Sequence, residues 1–217
     1  MQKMIHQQKT TATEKAVAYV AGQIRTNPTR VWTVVGFTLG IIVAFIFYIG
    51  ISASVKNTAS DSLSQAYYYF ATGDGQKGVA QLDSIISGYK STPSAYQARL
   101  MKADILTAQG DYKGALALLE ETFANANPKT LRPLALNSII YVYDRQKDFQ
   151  NAILRSREFI NKFPKHFLVR NIHLNLANYY VQIGDLASAV KTYNEILMAY
   201  PASAEADFAD AQLKNLK

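Results

Sequence analysis

The sequence predicts an all-α protein in which a single N-terminal transmembrane helix precedes an α-solenoid of about four helical hairpins and a C-terminal capping helix. Residues 31–51 contain no charged side chain, and a two-residue turn signal recurs every 37 residues. Between the turns, apolar residues recur at helical spacing. The expected parts are a basic leader at 1–30, a transmembrane helix at 31–52, a connector at 53–58, a repeat domain at 59–201 and a capping helix at 202–217.

The apolar segment 31–51 has the length of one membrane-spanning helix. At about 1.5 Å per residue it covers a hydrocarbon core of roughly 30 Å. Trp32 near one end and Tyr48 near the other are suited to the headgroup level. The segment is longer than a usual signal-peptide core and follows a long leader, which favours an uncleaved anchor over a cleaved signal peptide, the alternative.

The distribution of charge indicates the direction of this helix. The chain has a formal net charge of +7, and five basic residues against one acidic residue precede position 31. Only Lys56 follows the span closely. The positive-inside rule therefore predicts a cytoplasmic N-terminus and an external C-terminal domain. In a bacterium this means an inner-membrane protein with a periplasmic domain. Residues 14–24 are expected to form a short interfacial helix.

The repeat is marked by four turns, at residues 73–74, 110–111, 147–148 and 184–185. In this register small residues form two columns, while Tyr69, Leu106, Tyr143 and Tyr180 form a third. Two antiparallel helices pack closely where small side chains meet, so each unit is predicted to be a helical hairpin. The small-residue columns are Ala66, Ala103, Ile140 and Ala177 before the turn, then Gly78, Ala115, Ala152 and Ala189 after it.

Helix positions follow from the same register. First helices are expected at 95–108, 134–145 and 168–182, and second helices at 112–124, 149–162 and 186–200. Prolines between the units are expected to end helices: Pro93, Pro128, Pro164 and Pro201.

With these columns the sequence resembles the tetratricopeptide repeat family over roughly residues 59–201. The fourth unit matches best, and its matching residues are Leu176, Ala177, Tyr180, Gly184, Asp185, Ala189, Tyr193 and Pro201. The third unit has Ile140 where a small residue is usual, and the first has Gly78 in place of alanine. The 37-residue period exceeds the usual 34 of the family.

The residues give no indication of an enzyme, a cofactor or a metal site. Gly73, Gly75 and Gly78 spell GxGxxG, but they follow a helical segment rather than the strand that a dinucleotide site requires. The chain has three histidines and no cysteine, which excludes disulfides and cysteine-ligated zinc. The basic stretch around Arg155 contains acidic residues, so we expect a solvated helix face and no nucleic-acid partner. No small-molecule substrate is expected either.

The resemblance implies that first helices line a concave surface that binds an extended segment of a partner protein. In the family's register, this surface is occupied by one column of residues with the same 37-residue spacing, together with neighbours on the same helix faces. The column consists of Tyr67, Asp104, Tyr141 and Asn178. The candidate groove residues are Tyr67, Gln97, Leu100, Asp104, Asn137, Tyr141, Asp144, Asn171, Leu174 and Asn178.

The layout of leader, anchor and external repeat domain resembles the ancillary subunits of the bacterial Sec translocon (YfgM-like), which are associated with a periplasmic chaperone. This resemblance implies that the groove holds a partner, such as the translocon or a periplasmic chaperone, or a newly exported chain beside the membrane. The alternative is an envelope scaffold that tethers a cell-wall, secretion or polysaccharide-export complex.

Overall fold

The computed structural model describes residues 12–26 and 28–216, and within them it has ten α-helices and no strand. These residues fall into two compact units, one up to Ser54 and the other from Val55 onward. The helices are α1 (Ala12–Thr26), α2 (Pro28–Ala71), α3 (Gly75–Gly88), α4 (Pro93–Gln109), α5 (Tyr112–Asn125), α6 (Leu131–Arg145), α7 (Phe149–Lys162), α8 (Val169–Gln182), α9 (Leu186–Ala199) and α10 (Ala204–Asn215).

The N-terminal unit contains α1 and the first part of α2. The expected interfacial segment 14–24 is helical within α1, while residues 1–11 of the leader lie outside the described residues. Among the described residues, α2 is the one helix long and apolar enough to cross a membrane, and none of its most apolar stretch is buried. Trp32 is 69% exposed and Phe37 is 73% exposed.

Helix α2 continues through the segment 53–58, where the sequence suggests a connector. The segment contains neither glycine nor proline, so no residue in it stops the helix. As a result the C-terminal end of α2 is also the first helix of the first repeat. Leu63 and Ala66 on this end are buried against Leu82 and Ile85 of α3.

The second unit consists of four successive hairpins, and each helix from α3 to α9 packs against the next in the chain. The first helices of the second, third and fourth repeats are α4, α6 and α8, and their ends lie within three residues of the predicted bounds. The small-residue columns are buried as the register requires. Helix α10 packs on α9 and α8 and buries Ala206 and Ala209.

The turn inside each hairpin repeats one pattern of hydrogen bonds. Its aspartate caps the second helix: in the second repeat the Asp111 carboxylate accepts from the Gly114 amide at 2.9 Å, and Asp74, Asp148 and Asp185 do the same in the other repeats. The residue before the aspartate has a positive φ, which is 84° at Gly110 and 58° at Lys147. A left-handed residue just after the first helix, followed by an N-cap carboxylate, therefore accounts for the 37-residue signal.

Candidate protein-binding groove

The first helices of the second, third and fourth repeats line a groove of about 710 Å³. Helix α4 contributes Asp104, α6 contributes its exposed Tyr141, and α8 contributes a row of amides. The complete lining is Asp104, Asn137, Ser138, Ile140, Tyr141, Asp144, Phe149, Leu168, Asn171, Asn175, Asn178, Tyr179 and Gln182.

Helical periodicity places these side chains on the groove. On α8 the spacing i, i+4, i+7 and i+11 brings four amides onto one face: Asn171, Asn175, Asn178 and Gln182. On α6 the spacing i, i+4 and i+7 does the same for Asn137, Tyr141 and Asp144. The amides both donate and accept hydrogen bonds, so this wall is suited to the backbone of an extended peptide.

Two carboxylates carry all the formal charge of the lining. Burial raises the pKa of Asp104 above its ordinary value. Burial also raises the pKa of Asp144, and the nearby positive charge of Arg145 opposes this effect without reversing it. Asp104 is nevertheless exposed and Asp144 is partly exposed, so water still reaches both carboxylates.

Tyr179 forms part of the base of the groove and is 6% exposed. Its ring stacks on that of Phe149, with centroids 5.9 Å apart and an interplanar angle of 25°. Burial, together with the negative charge of Asp144, raises the pKa of Tyr179 well above its usual range. The hydroxyl consequently stays protonated at neutral pH and can donate a hydrogen bond.

Residues 24–217 match the family described as tetratricopeptide repeat-like domain. The chain belongs to the tetratricopeptide repeat-like family. Proteins with this type of repeat are typically non-catalytic scaffolds that bind other proteins. The family therefore indicates a protein-interaction module.

Solved structures share the tetratricopeptide repeat fold at low sequence identity. A tetratricopeptide repeat protein from Parabacteroides merdae is 16% identical with a TM-score of 0.61, and the match covers 74% of this chain and 60% of that protein. The nearly identical TPR-like repeats of a Podosopora anserina protein described as a kinesin light chain are 18% identical with a TM-score of 0.57, covering 74% and 86%. No curated protein matches the sequence.

Six of the ten candidate residues from the sequence come together on the tetratricopeptide groove: Asp104, Asn137, Tyr141, Asp144, Asn171 and Asn178. The other four lie elsewhere. Tyr67 is exposed in the first repeat, and Gln97 is exposed on α4. Leu100 and Leu174 are partly buried and pack against the hydrophobic core.

Asn178 also forms a hydrogen bond inside the domain. Its side-chain carbonyl accepts a hydrogen bond from the Tyr193 hydroxyl at 2.6 Å, which joins α8 to α9. Tyr193 itself is 1% exposed. Substitution of Asn178 would therefore disturb packing as well as the groove, whereas Tyr141 and Asn171 are exposed and better suited to testing binding.

The register from the sequence did not select several lining residues, including Asn175, Gln182 and Tyr179. A signal for the two amides was present, because they continue the polar row of Asn171 and Asn178 at helical spacing. Tyr179 gave no such signal, since its position follows from stacking on Phe149 of the preceding helix.

The other motifs of the sequence have structural explanations. Gly73 has a left-handed backbone in the first turn, and the turn of the GxGxxG motif joins two helices. The described residues contain no group of three or more histidines and carboxylates placed to hold a metal. Arg155 pairs with Glu120 and Glu158, and Phe159 nearby is fully buried in the core.

Proposed function

We propose that this chain is a membrane-anchored module whose repeat groove binds another protein beside the membrane. The observation that carries the proposal is the groove of about 710 Å³ across three successive first helices. Polar side chains of α4, α6 and α8 line it and can form hydrogen bonds with a ligand. An extended polypeptide can meet these side chains along its length.

The anchor in this proposal is the N-terminal part of α2. Its large apolar side chains are exposed, as at Trp32 and Phe37, and a bilayer would remove them from water. The basic residues before the span favour a cytoplasmic N-terminus. The proposed location is the bacterial inner membrane, with the repeat domain in the periplasm.

The proposed partners are the Sec translocon and a periplasmic chaperone, with the groove holding either a component of that assembly or a newly exported chain. The layout of leader, span and external repeats supports this role through its resemblance to ancillary translocon subunits. Anchoring would raise the local concentration of the groove at the site where chains emerge.

Crosslinking in native membranes, followed by purification of the tagged full-length protein and mass spectrometry, tests this role. The wild type is compared with a groove variant, Tyr141→Ala with Asn171→Ala, and with Leu154→Ala as a control, since Leu154 is 60% exposed on α7 and outside the groove. We expect translocon and chaperone subunits with the wild type and the control but not with the groove variant. Recovery of only cell-wall or polysaccharide machinery would contradict the export role and favour the envelope scaffold.

A further inference from the structure

The charge of the groove is opposite to that of the chain. The protein has a formal net charge of +7, yet the groove lining contains two aspartates and neither lysine nor arginine. This concave surface of a basic protein is therefore acidic. A ligand that carries a carboxylate or phosphate would meet only like charge there.

Neither groove carboxylate forms an ion pair, although the charge of Arg145 acts on Asp144 without pairing with it. Outside the groove, the Glu121 carboxylate lies 2.9 Å from Arg99, and the Glu158 carboxylate lies 2.7 Å from Arg155. Within residues 12–26 and 28–216, no ion pair involves Asp104 or Asp144. A carboxylate that lines the groove without an ion-pair partner attracts an incoming lysine or arginine side chain.

A tyrosine hydroxyl adds a hydrogen-bonding group to the groove. Tyr179 is 6% exposed and lines the groove, and its hydroxyl is in contact with the water of the groove. This hydroxyl can donate to a peptide carbonyl, while the amides of α8 can bond to further backbone groups.

We propose that the groove selects an extended polypeptide segment that carries a lysine or arginine side chain. The cation binds beside Asp104 and Asp144, and the backbone of the segment bonds to the amide row of α8. This inference rests on the proposed function and specifies the chemistry of the bound segment. It applies to any partner chain with such a segment.

The test uses the full-length chain in nanodiscs and a phage library of random decapeptides. Wild type is compared with the double variant Asp104→Asn and Asp144→Asn, which removes both charges while preserving shape. Asp61→Asn is the matched control, because Asp61 is exposed on α2 outside the groove. We expect lysine or arginine to be enriched in peptides selected by the wild type and by the control. The double variant should lose this enrichment.

A selected peptide is then synthesised with its basic residue or with glutamine. Loss of a charge-assisted hydrogen bond predicts about tenfold weaker binding of the glutamine peptide to the wild type. This comparison does not depend on the folding of any variant. Equal binding of the two peptides, or selected peptides without basic residues, would overturn the inference.

Binding to Tyr141→Ala distinguishes the failure of this inference from the failure of the proposed function. If selected peptides of any composition lose binding to Tyr141→Ala, the groove remains the binding site even when the charge preference is absent. If the selected peptides bind Tyr141→Ala and wild type equally, or if wild type selects none, both the inference and the proposed function are contradicted.

Discussion

The ring of Phe70 occupies the space that a side chain at Gly78 would need. A Cβ atom added to Gly78 would lie 2.7 Å from two carbon atoms of this ring. In the other three repeats the position of Gly78 is alanine, and the position of Phe70 is Thr107, Asp144 or Val181. Relative to the other repeats, the first repeat therefore has a larger residue on its first helix, Phe70, in exchange for the smallest residue on its second helix, Gly78.

This exchange predicts that Gly78→Ala destabilises the domain even though it makes the repeat more typical. The Phe70 ring must move to admit the methyl group, at a cost of about 1–2 kcal/mol in the free energy of unfolding. The double variant with Phe70→Thr has room for the alanine, so the two effects should not add. Denaturant unfolding of the four proteins measures this coupling, and additive effects would show that the two residues do not compete for space.

Lys147→Gly should stabilise the third repeat. Lys147 has a φ of 58°, which glycine adopts without the steric cost that a side chain imposes. We expect a gain of about 1 kcal/mol in the free energy of unfolding. The matched control is Gly110→Lys, which places lysine at the same position of the second turn and should cost a similar amount. An unchanged or lowered melting temperature for Lys147→Gly would refute the explanation.

The cap of α9 should make stability depend on acid pH. Hydrogen bonds from Ser188, through its hydroxyl and its backbone amide, hold the pKa of Asp185 below its ordinary value. The stabilisation is fully present above the unfolded pKa of about 3.9 and is lost as pH falls through the lower folded pKa. In Asp185→Asn the cap does not titrate. The difference in melting temperature between wild type and Asp185→Asn should change below about pH 4, while a constant difference would contradict this.

Arg99 should matter far more than its ion-pair partner. Arg99 is 2% exposed, donates to the Lys90 carbonyl at 3.0 Å and lies against the Tyr96 ring. Glu121, by contrast, is half exposed. We expect Arg99→Ala to cost about 2–4 kcal/mol of unfolding free energy and Glu121→Gln less than about 1 kcal/mol. Equal losses in denaturant unfolding would mean that the ion pair, and not the buried contacts, stabilises this region.

Much of the repeat architecture could be predicted from the sequence because its determinants are local. The turn residue with positive φ and the capping aspartate lie next to each other, as in Gly110 and Asp111, and the same pair of positions recurs in every repeat. Small residues then identify where helices meet. The helix through residues 53–58 was less evident, since its polar composition suggested a connector.

The groove could be predicted only in part because it depends on contacts between repeats. A periodic register finds side chains on one face of a helix, which is why Tyr141 and Asn171 were identified. It does not reveal that Tyr179 is held by Phe149, or that Asn178 is bound to Tyr193. The absence of an ion pair at the groove aspartates likewise depends on how separate helices assemble.

The most direct measurement of the central claim is photo-crosslinking in living cells from a benzophenone amino acid placed at Tyr141. The same group at Leu154 is the control, because both positions are exposed and only Tyr141 lines the groove. We expect a discrete crosslinked protein from Tyr141 and none, or a different one, from Leu154. The same crosslinked protein in equal yield from both positions, or none from Tyr141, would contradict binding in the groove.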